Sequence, residues 1–270
     1  MTDEASRGGP GAGGYRYCKV EDDGRLRIVT LNRPEVMNAL HSEASHELER
    51  VWDDFAARDD LWVAIVTGAG ERAFSAGNDL KVQAAGKRGP RPRSGFAGLT
   101  QRFDLHKPVI AAVNGVAMGG GFELALACDI IVAAENAMFA LPEPRVGMIA
   151  GAGGVHRLPR MIPQKQALGM ILTGRRVPAS EGKALGFVNE VVAAGEALAA
   201  ARRWAQTILE CSPMSVRASK ESLYRGLDEP SLEKAVRTVY PAHQANLDSQ
   251  DYIEGPKAFA EKRKPNWQNR

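Results

Sequence analysis

The sequence predicts a layered α/β domain followed by a helical C-terminal region. Apolar runs of strand length recur at WVAIVTGAG (residues 62–70), PVIAAVNG (108–115) and DIIVAA (129–134). Continuous runs of that kind suit strands buried on both faces. Helical patterns separate them, which is the alternation of a layered sheet. After about residue 196 the strand patterns stop, and only helical ones follow.

Taken in order, Leu26, Ile28 and Thr30 alternate with Arg27 and Val29 up to Leu31, and Asn32, Arg33 and Pro34 close this strand with turn chemistry. From Ser42 onward, Leu48, Val51, Trp52 and Phe55 recur at three- and four-residue steps, an amphipathic helix that ends near Asp59. The stretch GKRGPRPRSG (86–95) holds two prolines, three glycines and four cations, so it reads as a mobile surface loop. Beyond it come the buried strand 108–115, a glycine-led helix and the strand 129–134. Leu198, Ala201, Ala205, Ile208 and Leu209 mark a helical face, and Pro213, Pro230, Pro241 and Pro256 punctuate the helices after it. The expected organisation is a disordered tail at 1–14, an α/β core at 15–195 and a helical region at 196–270. No internal repeat is strong enough to use.

Composition narrows the function. A chain of 270 residues, 44% hydrophobic, supports a large core. The excess of 35 Lys and Arg over 32 Asp and Glu gives a net charge of +3, which suits acidic small molecules and falls far short of a nucleic-acid binder. Cys18, Cys128 and Cys211 are widely spaced with no CxxC, so neither a disulfide framework nor a zinc site is expected, and a reducing, cytoplasmic setting is. No apolar run reaches the ~18 residues of a membrane span. The opening MTDEASRGGPGAGG lacks the apolar run of a signal peptide.

Gly68, Gly70 and Ala73 fit the dinucleotide fingerprint G-x-G-x-x-G/A, but no helix opens there and a proline-rich loop follows, so nicotinamide binding is set aside. There is no G-x-S-x-G and no H-E-x-x-H, and His41 and His46 read as surface residues. No metal centre is expected.

The informative stretch is GGGFELALACDI, where Glu123 interrupts an apolar helix. A carboxylate there loses water and gains little unless chemistry needs it. Gly119, Gly120 and Gly121 expose amides at the positive end of a helix, and FSAGNDL (74–80) offers a second glycine turn. Two amides on one oxygen form an oxyanion hole; the same spacings also suit two tight packing turns. Glu143, between Pro142 and Pro144, follows Glu123 by one helix and one strand, which can bring the two carboxyls together. Such a pair titrates as a unit and supplies a general acid and a general base. Otherwise the two acids are a loop charge and a helix N-terminal charge.

Six blocks together resemble the enoyl-CoA hydratase/isomerase, or crotonase, superfamily: LNRPEVMNAL, AFSAGNDLK, KPVIAAVNGVAMGGGFELALACDI, FALPEPRVGMIAGAGG, LTGRRVPASEGKALGFVNEVV and EGPKAFAEKRKPNW. The resemblance runs from about Tyr17 to the C-terminus. It implies a spiral of ββα units with a C-terminal trimerisation region, assembled as a homotrimer or a hexamer of two trimers. It implies that the Asn78 and Gly120 amides hold a thioester oxygen, that Glu123 is the base on water and Glu143 the proton donor to Cα, and that Gly151 lies beside the catalytic water. Ala76, Lys81, Phe259 and Lys262 match positions that contact coenzyme A, the last two from a neighbouring subunit. The implied reaction is hydration of a 2-enoyl-CoA, with the thioester as substrate and no cofactor. Within the superfamily several blocks look like carnitinyl-CoA dehydratase, but GMIAGAGG lacks an acid expected of that branch, so a general enoyl-CoA hydratase is the preferred reading. A Δ3-Δ2 isomerase needs only one acid, and an RNA-binding relative would need aromatic residues among its cations. Lys87, Arg88, Arg91 and Arg93 are candidates for the coenzyme A phosphates, or for a solvated loop.

Overall fold

The computed structural model describes residues 14–87 and 89–270. Apart from Gly14, the expected disordered tail lies outside the described residues, as does Arg88.

The chain begins with the hairpin β1 (Cys18–Asp23) and β2 (Leu26–Leu31), followed by α1 (Ser42–Ala57). Three ββα units follow. They are β3 (Val63–Gly68), β4 (Ala73–Ser75) and α2 (Leu80–Ala84); β5 (Val109–Val113), β6 (Val116–Met118) and α3 (Gly120–Ala127); and β7 (Ile130–Ala134), β8 (Met138–Ala140) and α4 (Gly154–Met161). α5 (Gln164–Thr173), β9 (Val177–Pro178), α6 (Ala179–Leu185) and β10 (Glu190–Val192) close the core. Helices α7 (Ala197–Leu209), α8 (Pro213–Leu227), α9 (Leu232–Arg237), α10 (Pro241–Leu247) and α11 (Gln250–Ala260) complete the chain.

Each unit places its first strand in a six-stranded sheet ordered β1-β2-β3-β5-β7-β10, and its second in a four-stranded sheet ordered β4-β6-β8-β9. Only β1 and β9 run antiparallel to their neighbours. Because side chains alternate along a strand, the large sheet buries both faces. Val66, Ala111 and Ala133 face α1, α3 and the small sheet, whereas Ile65, Ile110 and Val132 face the alanines of α7: Ala197, Ala200, Ala201 and Ala205. Those alanines let α7 lie close against β3, β5 and β7. This is the crotonase spiral of ββα units.

β2 forms where expected, and Arg27 within it is 3% exposed, held by Asp22 at 2.8 Å and Asp54 at 2.7 Å, because α1 covers that position. Two expectations need correction. His41 is no plain surface residue, since its Nδ1 accepts the Ala44 N–H at 3.1 Å and caps α1, with its ring edge-on to Tyr17. The 86–95 segment is partly strapped down: Pro92, Ser94 and Gly95 are buried, Ser42 Oγ and His46 Nε2 both reach Pro90 O, and Glu49 accepts from Ser94. Among the described residues, no helix is long and apolar enough to cross a membrane.

Candidate active site

The two glycine turns meet at the end of the small sheet. Gly77 has φ +87, and a Cβ there would lie 2.8 Å from Gly120 N and 2.5 Å from Met118 O. The first turn is built from LNRPEVMNAL. Asn38 Nδ2 donates to Ala73 O at 2.8 Å, Ser75 Oγ donates to Asn38 O, and Leu40 N donates to Gly77 O. Asp79 caps α2 through Val82 N and pairs with Arg33 at 3.0 Å. The Asn78 side chain is turned to Gln83 Oε1, 2.5 Å away. Among the described residues, the backbone N–H groups of Asn78 and Gly120 find no acceptor. Phe96 closes over Gly120, where a Cβ would meet its Cζ at 2.7 Å.

α3 starts at this point. Its apolar surround holds it in place: Phe122 packs with Phe139 and Phe187 at centroid distances of 5.1 Å each, and Leu124 and Ala125 are fully buried. Glu123, one turn in, is 3% exposed, and its Oε1 accepts the Gly154 N–H at 2.8 Å from the start of α4. Burial raises its pKa; the N–H groups of Gly154 and Ala152 and the charges of Arg91 and Arg157 oppose the rise.

Glu143 comes off the end of β8 in a short turn set by Pro142 and Pro144, and is 8% exposed. A Cβ on Gly119 (φ +52) would lie 2.7 Å from its Oε1, so the carboxyl sits against the turn that presents Gly120. Its Oε2 has no partner among the described residues. Burial pushes its pKa up to about 7; a backbone hydrogen bond opposes the rise and the charge of Glu123 adds to it. The two acids thus face one dry site with unequal surroundings. Glu123 is gripped by donors that favour its charge, whereas Glu143 keeps Oε2 unpartnered among the described residues and burial outweighs its one backbone hydrogen bond, which favours its proton.

The other expected residues fall in two groups. Ala76, whose N–H donates to Met37 O at 2.8 Å, and exposed Lys81 on α2 lie beside Asn78. Gly151 starts the turn that leads to α4, but its own N–H is engaged by Ile149 O at 2.7 Å, and Gly154 is the residue that meets Glu123. Phe259, 88% exposed, and Lys262 follow a different anchorage. Their segment is tied to α7 by Trp267 Nε1 on Glu210 O and to Asp59 by Asn269 Nδ2, at the opening end of β3. Among the described residues, no hydrogen bond or ion pair joins that segment to Asn78, Gly120, Glu123 or Glu143. Sequence reasoning missed Asn38, Gly154 and Phe96. The run GAGG before α4 was the available signal for Gly154.

Fold and site together define an enzyme scaffold, a ββα spiral with two buried acids beside a pair of free amides. The sequence model of the enoyl-CoA hydratase/isomerase family matches residues 21–270. The chain is 47% identical to a carnitinyl-CoA dehydratase of Escherichia coli (strain K12) over 257 residues, covering 92% of this chain and 97% of the relative. Among solved structures it is similar to an enoyl-CoA hydratase from Mycobacterium tuberculosis H37Rv (TM-score 0.89, 38% identity, 94% of this chain and 99% of that one). It is also similar to a carnitinyl-CoA dehydratase from Mycobacterium avium 104 (TM-score 0.75, 40% identity, 94% and 99%). The chain belongs to the enoyl-CoA hydratase/isomerase family, and it is an enzyme.

Proposed function

We propose that the chain is a hydro-lyase that adds water reversibly across the 2,3 double bond of a 2-enoyl-CoA thioester. The observation that carries this reading is the unequal pair of buried acids, Glu123 held by the Gly154 N–H and Glu143 with an unpartnered oxygen. In the hydration direction, ionised Glu123 takes a proton from water as the oxygen bonds to Cβ. The π electrons move onto the thioester oxygen, where the Asn78 and Gly120 N–H groups receive the charge. Glu143 then gives its proton to Cα as the carbonyl re-forms. Every proton is accounted for by these two acids, and coenzyme A enters as part of the substrate. Losing one oxyanion donor typically costs ~10²- to 10³-fold in rate.

Ala76 and Lys81 flank the thioester end of the site, and Phe259 and Lys262 of a neighbouring subunit supply the remaining coenzyme A contacts in this reading. A thioester substrate fits the cytoplasm. Carnitinyl-CoA dehydration is the second reading, favoured by the 47% identity to enzymes of that name. The 147–153 turn, GMIAGAG, offers a quaternary ammonium neither an acid nor an aromatic ring.

The test is a panel of 2-enoyl-CoA thioesters followed by loss of the conjugated-thioester absorbance, with Glu123→Gln and Glu143→Gln alongside. Each variant is expected to lose ~10² or more of the rate with the fold intact. Near wild-type hydration by either one overturns the two-acid mechanism.

A further inference from the structure

An open cleft beside Asn78 runs between α2 and the 89–96 strap. One wall is Phe96, whose ring covers Gly120, and Lys87 and Arg91 also line the cleft. The strap fixes Arg91 from both sides: Pro90 O is held by His46 Nε2 at 3.2 Å, and Ser94 is held by Glu49 through Oγ at 2.7 Å and N at 3.2 Å. Among the described residues, neither Lys87 nor Arg91 has an acid within ion-pair distance, whereas Asp79, the acid that lines the same cleft, is taken by Arg33. The positive charge of Arg91 is felt at Glu123, on the reacting side of the site. The cleft therefore pairs an apolar wall next to the thioester with unpaired cations further along.

We propose that the acyl group of the substrate ends in a carboxylate, bound by Arg91 with Lys87 beside it. This rests on the hydro-lyase reading and names its substrate class. A guanidinium and a carboxylate form a charge-assisted, two-point contact, and a cationic acyl terminus in the same place would be repelled. The coenzyme A phosphates are a second source of the same negative charge, so the test must separate the two.

Three thioesters of matched enoyl chain do so: 4-carboxybut-2-enoyl-CoA, its neutral isostere 5-methylhex-2-enoyl-CoA, and 4-trimethylammoniobut-2-enoyl-CoA. kcat/KM is expected to fall in that order, the carboxylate leading the neutral isostere by about tenfold and the lead shrinking at high salt. Arg91→Gln should bring the carboxylate-to-neutral ratio close to one. Hydration of the neutral thioester with no preference for the carboxylate, or a preference for the cation, overturns this inference and leaves the hydro-lyase reading standing. An Arg91→Gln loss equal for all three thioesters assigns the cations to the phosphates and overturns it as well. If none of the three is hydrated, both readings fall.

Discussion

A carboxyl that must keep a proton near neutrality has to be shielded from water and given few donors, and Glu143 is buried with its Oε2 unpartnered among the described residues. Its pKa is raised from 4.5 to about 7 by burial, so the folded state favours the protonated form. The stability this brings is complete below 4.5 and is lost as pH rises through about 7. Glu143→Gln should therefore unfold at higher urea than the parent above pH 7, by on the order of 1–3 kcal/mol, and show no such gain below 4.5. A Glu143→Gln gain that is the same above pH 7 and below 4.5 would contradict the raised value. The kinetic counterpart is a fall in kcat/KM as pH rises through the same point. Hydration and dehydration must share it, because the reaction consumes no net proton and the two acids titrate together. Both acids stood out in the sequence, one as a charge in an apolar helix and one by its spacing from it. Glu47 did not. It reads as an ordinary α1 polar residue, yet it is 5% exposed and accepts from the backbone N–H groups of Arg16, Tyr17 and Cys18, about thirty positions away. Asn38 and Gly154 escaped for the same reason, since their partners are distant in sequence and leave no local pattern.

The elements that periodicity reveals are the long ones. α1 and the strands β3, β5 and β7 were legible because their buried faces repeat over five residues or more. β4, β6 and β8 have three residues each, too short for any period, so the small sheet and the ββα repeat came only from family resemblance. Yet those strands deliver the two glycine turns. Gly77→Ala tests how tightly they meet, since the new methyl would strike Met118 O and press on Gly120 N at a positive φ. We expect turnover to fall by ~10² or more and stability by about 1–3 kcal/mol. Gly24→Ala, also at positive φ but in open space, carries the strain without the collision and should leave turnover intact. Equal turnover in both variants would show that the Gly77 contact does not shape the site.

Across the whole molecule, apolar surface is left open on the C-terminal helices. Leu227, Leu232 and Val236 are 73%, 80% and 76% exposed, more than isolated surface residues account for. We take this face as a subunit contact, consistent with the trimer or hexamer expected from the family, and with Phe259 and Lys262 serving a neighbour's site. Truncation after Asp251 removes all but the first two residues of α11, and with them the Gln268 and Asn269 N–H groups that donate to Asp251. It should lower both the mass seen by light scattering and the affinity for coenzyme A, whereas Lys262→Ala should lower affinity alone. A fully active monomer would rule the arrangement out. The alanine face of α7 bears on how the chain is made. Ile65, Ile110 and Val132 leave the ribosome long before Ala197, and among the described residues their side of the large sheet is covered by α7, with the still later Trp267 packed beside it. Until α7 emerges, that face is open to water, to other nascent chains and to chaperones, so translation products that stop short of residue 197 are the aggregation-prone species of this protein.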